Sequence, residues 1–303
     1  MGDIVKRYEG NPIIKPEDIP DCDAVYNCGA IKFKEKYILL LSVIRKSSEA
    51  LKEIFVAESV DGINFKVSDK PFISPSKDGF FSKFEYDICD PRITFLEGTY
   101  YITYPAHTPG IGVVGILGKT DDFENFERIE IISLPDNRVP VLFPEKINGE
   151  YVRLDRPFGV YPGSLWISYS KDLIYWGKHK PLLFPDKRYW CNLKVGPACP
   201  PIKTEKGWLL IYHAVSGDKI GPTVYSLGAA LLDLKDPAKI IGNTKGPILT
   251  PTESYERIGK VFNTVFSCGA ILENNGELKI YYGAADTYIC LGTVNIDTLI
   301  KTM

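Results

Sequence analysis

Short runs of Val, Ile, Leu, Tyr and Phe, broken by Gly, Pro, Asn and Asp, fill the chain, and helical periodicity is scarce. This pattern predicts strands joined by turns. Five segments align with one another: CGAIKFKEKYILLLSV (28–43), CDPRITFLEGTYYITYP (89–105), VLFPEKINGEYVRLDRP (141–157), CPPIKTEKGWLLIYHAV (199–215) and CGAILENNGELKIYYGA (268–284). Each reads as a strand, a polar turn and a second strand. Tyr37, Tyr100, Tyr151, Trp208 and Leu278 open the second strands, at separations of 63, 51, 57 and 70 residues. A third run with an Asp-containing turn follows in every unit: FVAESVDGINF, GILGKTDDFENF, LWISYSKDLIYW, GAALLDLKDPAKI and LGTVNIDTLI. A fourth, short strand follows in four of them, as KPFISP, IEIISL, KPLLFP and GPILTP. The fifth unit ends without one, and NPII (11–14) supplies its counterpart from the N-terminus. The chain therefore reads as an all-β, five-bladed β-propeller, a single domain over 1–303, its ring closed by an N-terminal strand.

Innermost strands of a propeller line its axis, so residues that break the repeat there are candidates for chemistry. Asp90 stands where other units carry Gly29, Pro200 or Gly269. The ends of the second strands carry Ser42, Pro105, Arg156, His213 and Gly283, with Arg45 and Asp286 three residues further on. Arg138 and Lys194 fall just before the first strands of units three and four. Each has an ordinary alternative. Asp before Pro is common in turns, Arg45 fits a solvated loop, His213 a hydrogen-bonded core, Asp286 a turn cap and Arg156 a blade-edge ion pair. Their coincidence at equivalent rim positions favours a site. Asp61, Asp122, Asp172 and Asp236 recur regularly and read as turn formers. Phe65, Phe126 and Trp176 read as blade packing, whereas Trp190 and Tyr161 lie in irregular segments where a ring could stack on a sugar.

Composition narrows the partners. The 303 residues are 45% hydrophobic with a net charge of −2, which gives no case for nucleic acid or a membrane. No apolar run approaches a spanning length, and the N-terminal MGDIVKRYEGNP does not read as a secretory signal. Seven cysteines without a C-x-x-C pair fit a reduced, cytoplasmic protein. Cys28, Cys89, Cys199 and Cys268 occupy one equivalent position and read as small buried hydrophobes, not as a metal site.

NPII, DPRIT, VLFPEKINGEYV, RP, LKVG, GWLLIYHAV, SLGAALLDLKDP and YYGAADT, in this order over nearly the whole chain, resemble glycoside hydrolase family 130, the β-mannoside phosphorylases and their relatives. The resemblance implies inverting cleavage of β-1,2- or β-1,4-mannosides by inorganic phosphate, giving α-mannose 1-phosphate reversibly. No metal or organic cofactor is implied, and a homo-oligomer is compatible with it. It places the acid on Asp90, with its proton passing through a sugar hydroxyl. Phosphate cations fall on Arg138, Arg156 and Lys194, and sugar contacts on Asn27, Arg45, His213 and Asp286. Cys89, the KSSE after Arg45 and the short inserts between blades depart from the family pattern where the acceptor sugar would bind. A β-mannoside hydrolase and a non-catalytic carbohydrate-binding propeller are the alternatives. The hydrolase would need a carboxylate opposite Asp90 in place of the cations.

Overall fold

The computed structural model describes residues 3–47, 52–158, 163–186, 190–218 and 221–303. Its strands form five antiparallel sheets arranged as the blades of a propeller. Blade 1 runs from the axis outward through Cys22–Phe33, Lys36–Arg45, Lys52–Ser59 and Lys66–Val67. Blade 2 contains Asp87–Ile88 with Arg92–Leu96, then Thr99–Thr108, Gly112–Thr120 and Glu127–Ile131. Blade 3 is Asn137–Leu142, Tyr151–Pro157, Leu165–Ser170 and Trp176–Leu183. Blade 4 is Lys194–Pro197 with Ile202–Thr204, then Gly207–Gly217, Thr223–Leu232 and Ile240–Asn243. Blade 5 is Val265–Leu272, Glu277–Ala284 and Tyr288–Asn295, and Lys6–Arg7 completes it from the N-terminus.

The second strands are apolar at successive positions because both their faces are covered. In Lys36–Arg45, Leu39, Leu41 and Val43 pack toward blade 5, while Ile38 and Leu40 pack toward blade 2. The core is thus divided into layers between neighbouring blades, each buried aliphatic side chain contributing about 1.5–3 kcal/mol. Near the axis two innermost strands pass too close to their neighbours for a side chain at Gly29 or Gly269. A Cβ on Gly29 would meet the Pro91 carbonyl oxygen at 2.7 Å, and one on Gly269 would meet the Ala30 nitrogen at 2.2 Å.

Ring closure occurs, but earlier in the chain than NPII. Lys6 and Arg7 pair with Thr293 and Gly292, whereas Ile14 makes a separate bridge to Ile289. Between them the Asn11 side chain binds both backbone groups of Leu291 at 2.8 Å. The fourth edges of blades 1 and 4 are split in the same way, with isolated bridges at Ile73 and Leu249. In all three the bridging residue follows a proline by two places: Pro12, Pro71 and Pro247. Proline cannot donate to a ladder, so the edge resumes only beyond it. Deleting residues 1–15 removes buried Val5 and Ile14 and the bonds from Arg7 to Glu256. The expected result is a melting temperature lower by roughly 10 °C. An unchanged melting temperature would contradict the closure.

The turn aspartates behave as read in three blades. Asp61, Asp122 and Asp172 each accept the backbone N–H groups two and three residues on. In blade 4 Asp236 accepts from the N–H of Ala238, and Asp233 accepts the N–H groups two and three residues on.

Candidate active site

Every innermost strand is interrupted at the same height. Register shifts fall between Tyr26 and Gly29, Arg138 and Val141, and Ser267 and Gly269. In blades 2 and 4 the strand breaks outright, after Ile88 and after Pro197. Such irregularities re-aim side chains that a regular strand would point into the layers between blades. Asn27, Asp90, Val139 and Asp286 adopt left-handed φ values of 43°, 50°, 56° and 48°. For a β-branched residue such as Val139 this is a genuine outlier, of the kind that clusters at functional sites. The result is an axial cavity of about 410 Å³ lined by Asn27, Asp90, Arg138, Arg156, Lys194 and Asp286 among others.

Asp90 and Asp286 bring carboxylates to the cavity wall. The Asp90 backbone N–H donates to Ser42 Oγ at 2.8 Å, and Asn27 Nδ2 donates to Asp90 Oδ1 at 2.9 Å. Fully buried Arg92 braces the turn by donating to the carbonyls of Asp90 at 2.6 Å and Ala198 at 3.0 Å. Burial, and then the charge of Asp90, push the Asp286 carboxyl up to about 7, while Lys52 and the Asn27 amide pull it down. Asp286 therefore loses much of its charge near neutral pH.

Arg138, Arg156 and Lys194 form a second charged group in the wall. Arg138 and Arg156 are directly paired on neighbouring strands of blade 3. Arg156 is 5% exposed, and its Nε has no partner. Lys194 Nζ donates to the Tyr225 hydroxyl at 2.6 Å. Burial, then the charges of Arg156 and Arg138, depress Lys194 to about 8. Burial first also lowers Arg156 to about 10. Among the described residues, no carboxylate forms an ion pair with Arg138, Arg156 or Lys194. Three converging cations without counter-charge make a ready site for a small anion.

Six of the eight residues named from the sequence line this cavity. His213 and Arg45 do not. His213 is completely buried behind the wall, its Nε2 2.5 Å from Arg156 Nη1 and its ring 4.6 Å from that of Phe266. Burial and the charges of Arg156, Arg92 and Lys194 hold it well below the usual imidazole range. A neutral imidazole accepts from Arg156, so His213 orients the guanidinium. Arg45 is directed at Asp21, 3.5 Å away, and Glu53, 3.7 Å away. Arg138 and Lys194 also lie within the first strands of their blades, not before them. Cys28, Cys199 and Cys268 are buried as read, but Cys89 is half-buried and lines the cavity. Trp190 stacks on Tyr212 at 6.0 Å and Tyr161 lies outside the described residues.

Sequence reasoning missed Tyr225 and the pair of Lys52 with Asp87, 2.7 Å apart, all in the cavity wall. Asp87, three residues before Asp90, was open to discovery as a second acidic position beside the DPR turn. Tyr225 carried no such signal, because it lies on a third strand that the repeat assigns to blade packing.

One axial cavity of the propeller thus joins the carboxylates of Asp90 and Asp286 to the cations Arg138, Arg156 and Lys194. The chain belongs to glycoside hydrolase family 130: the family model described as beta-1,4-mannooligosaccharide phosphorylase matches residues 3–303. It is 37% identical to the 1,2-beta-oligomannan phosphorylase of Thermoanaerobacter sp. (strain X514), over 94% of this chain and 95% of that one. Identity is 32% to the beta-1,4-mannooligosaccharide phosphorylase of Ruminococcus albus, over 98% and 90%. The structure of beta-1,2-mannobiose phosphorylase from Listeria innocua, in complex with beta-1,2-mannobiose, superposes with a TM-score of 0.87 at 32% identity, covering 98% of both chains.

Proposed function

We propose that this protein is an inverting β-mannoside phosphorylase, cleaving β-linked manno-oligosaccharides with inorganic phosphate to give α-mannose 1-phosphate. The observation that carries the reading is the trio of cations, Arg138, Arg156 and Lys194, without a carboxylate ion pair among the described residues, in the cavity that also holds Asp90. In the proposed reaction a phosphate oxygen attacks the anomeric carbon as the bond to the leaving oxygen breaks. Asp90 supplies the proton to that oxygen, and the new phosphate monoester, with a second pKa near 6, returns a proton to solvent at neutral pH. Phosphate is already an anion and needs only to be held and aimed, which Arg forks and a Lys point charge do. Asn27 and Asp286 are assigned to the sugar in the cleaved position. His213 acts through Arg156, and Arg45 is kept for the rim beyond the cavity wall. The reaction needs no metal or organic cofactor, and we place it in the cytoplasm.

A hydrolase would require an ionised carboxylate opposite Asp90 to activate water. Asp286 is influenced by the same Asn27 amide as Asp90, and burial with the Asp90 charge disfavours its ionisation. The deciding experiment is incubation with β-linked mannobiose. The expected result is little sugar release without phosphate and abundant mannose 1-phosphate with it. Release of free mannose at one rate in both conditions would overturn the reading in favour of a hydrolase, and no release in either would leave a binding module.

A further inference from the structure

A second concavity, of about 500 Å³, lies between blades 2 and 3. Strand alternation creates it. In Tyr151–Pro157, Val152 and Leu154 face blade 4, and Arg156 on the same side reaches His213 of that blade. Arg153, Asp155 and Pro157 point the other way and line this cleft, joined by Asn137, Phe158, Trp166 and Trp176. The neighbour of Asn137 in the chain is Arg138, which lines the axial cavity. Phe158 connects the two places, since it lines the cleft while its ring centre is 5.8 Å from the Arg156 guanidinium.

The chemistry of the cleft is specific. Arg153 is 1% exposed, forms an ion pair with Asp155 at 2.7 Å and lies over the Trp176 ring at 4.5 Å. Asn137 Nδ2 donates to the same carboxylate at 3.2 Å. Two buried polar atoms remain without partners: Asn137 Oδ1, an acceptor, and Arg153 Nε, a donor. Native proteins seldom leave such atoms unsatisfied without a ligand or water to meet them. Asp155 neutralises Arg153 and Asp136 adds a further carboxylate to the lining, so the cleft offers no positive charge to an anion, and its buried polar atoms disfavour a purely apolar guest. Aromatic walls over one buried donor and one buried acceptor that lack partners match a neutral ring that carries hydroxyl groups.

We propose that this cleft binds a pyranose ring of an extended manno-oligosaccharide, distal to the bond that is cleaved. The assignment of mannose rests on the proposed function, but the cleft's preference for a neutral sugar does not. The test compares β-linked mannobiose with mannopentaose for the wild type, Trp166→Ala and His179→Ala, the last an exposed residue of the same cleft. Trp166→Ala is expected to raise KM for the pentaose by about tenfold and to leave both constants for mannobiose within about twofold. Equal changes for both substrates, or none for either, would overturn the proposal. Should Trp166→Ala fail to fold, His179→Ala decides, with an expected rise of about threefold in KM for the pentaose alone; no rise overturns the proposal. Binding is also read without turnover, in phosphate-free buffer, because two of the four tryptophans line the cleft. Saturable quenching by mannopentaose that Trp166→Ala abolishes supports the site, and its absence in the wild type overturns it. This readout stands even if the protein proves to cleave no mannoside, so failure of the reaction and failure of the cleft are separable.

Discussion

An Asp90→Asn variant is expected to lose about 10²–10⁴-fold in phosphorolysis, the usual worth of a general acid. The substitution tests chemistry with little disturbance of structure. Asn tolerates left-handed backbone well, and Asp90 sits at φ 50°. The bonds that shape the turn, to Ser42 and from Arg92, use Asp90 backbone atoms and survive the change. Even the bond from Asn27 can persist, because the new amide oxygen still accepts. What disappears is a transferable proton. Steady-state rates, substrate binding by calorimetry and a melting curve together check the prediction. A variant that retained more than about a tenth of wild-type activity would exclude Asp90 as the acid.

Much of this architecture is legible before any coordinates, for a physical reason. Each blade repeats one burial pattern, so strand positions are written five times, and deviations such as Asp90 stand out against Gly29, Pro200 and Gly269. Edges are less legible. The closing strand at Lys6–Arg7 is two residues long and carries no apolar alternation, whereas NPII is apolar and drew the assignment to itself. The site divides in the same way. Residues that break the repeat at the axis, Asn27, Asp90, Arg138, Arg156, Lys194 and Asp286, do converge. His213 was found by position, but its burial behind Arg156 depends on how far the Gly207–Gly217 strand carries it past the cavity wall. Gly196 lies opposite and leaves the room: a Cβ there would meet the His213 ring at 2.7 Å. Arg45 lies outside the cavity lining because it is directed at Asp21 and Glu53 beside its own strand, contacts that the repeat alone does not reveal. Lys52 with Asp87 shows the same limit, a pair 35 residues apart joined by the contact of blades 1 and 2.

Replacement of Arg156 by Ala is expected to cost about 10²–10³-fold in kcat/KM for phosphate, the effect of removing one preorganised donor from a charged transition state. Arg156 is held for this role. Its strand pairing with Arg138 fixes the backbone, and neutral His213 accepts from one end of the guanidinium of this cavity-lining residue. The loss should come with a modest stability change, since no buried carboxylate is left without its counter-charge. Arg156→Lys restores the charge but not the fork, so it should recover only part of the rate. A pH profile separates loss of anion binding from general damage. The Arg156 charge is one of the causes that depress Lys194 to about 8. With Arg156 gone, Lys194 should hold its proton to higher pH, and the alkaline fall in phosphate affinity should move upward from about 8. A variant with wild-type dependence on phosphate, or a loss of activity that phosphate concentration and pH leave unchanged, would remove Arg156 from the phosphate site.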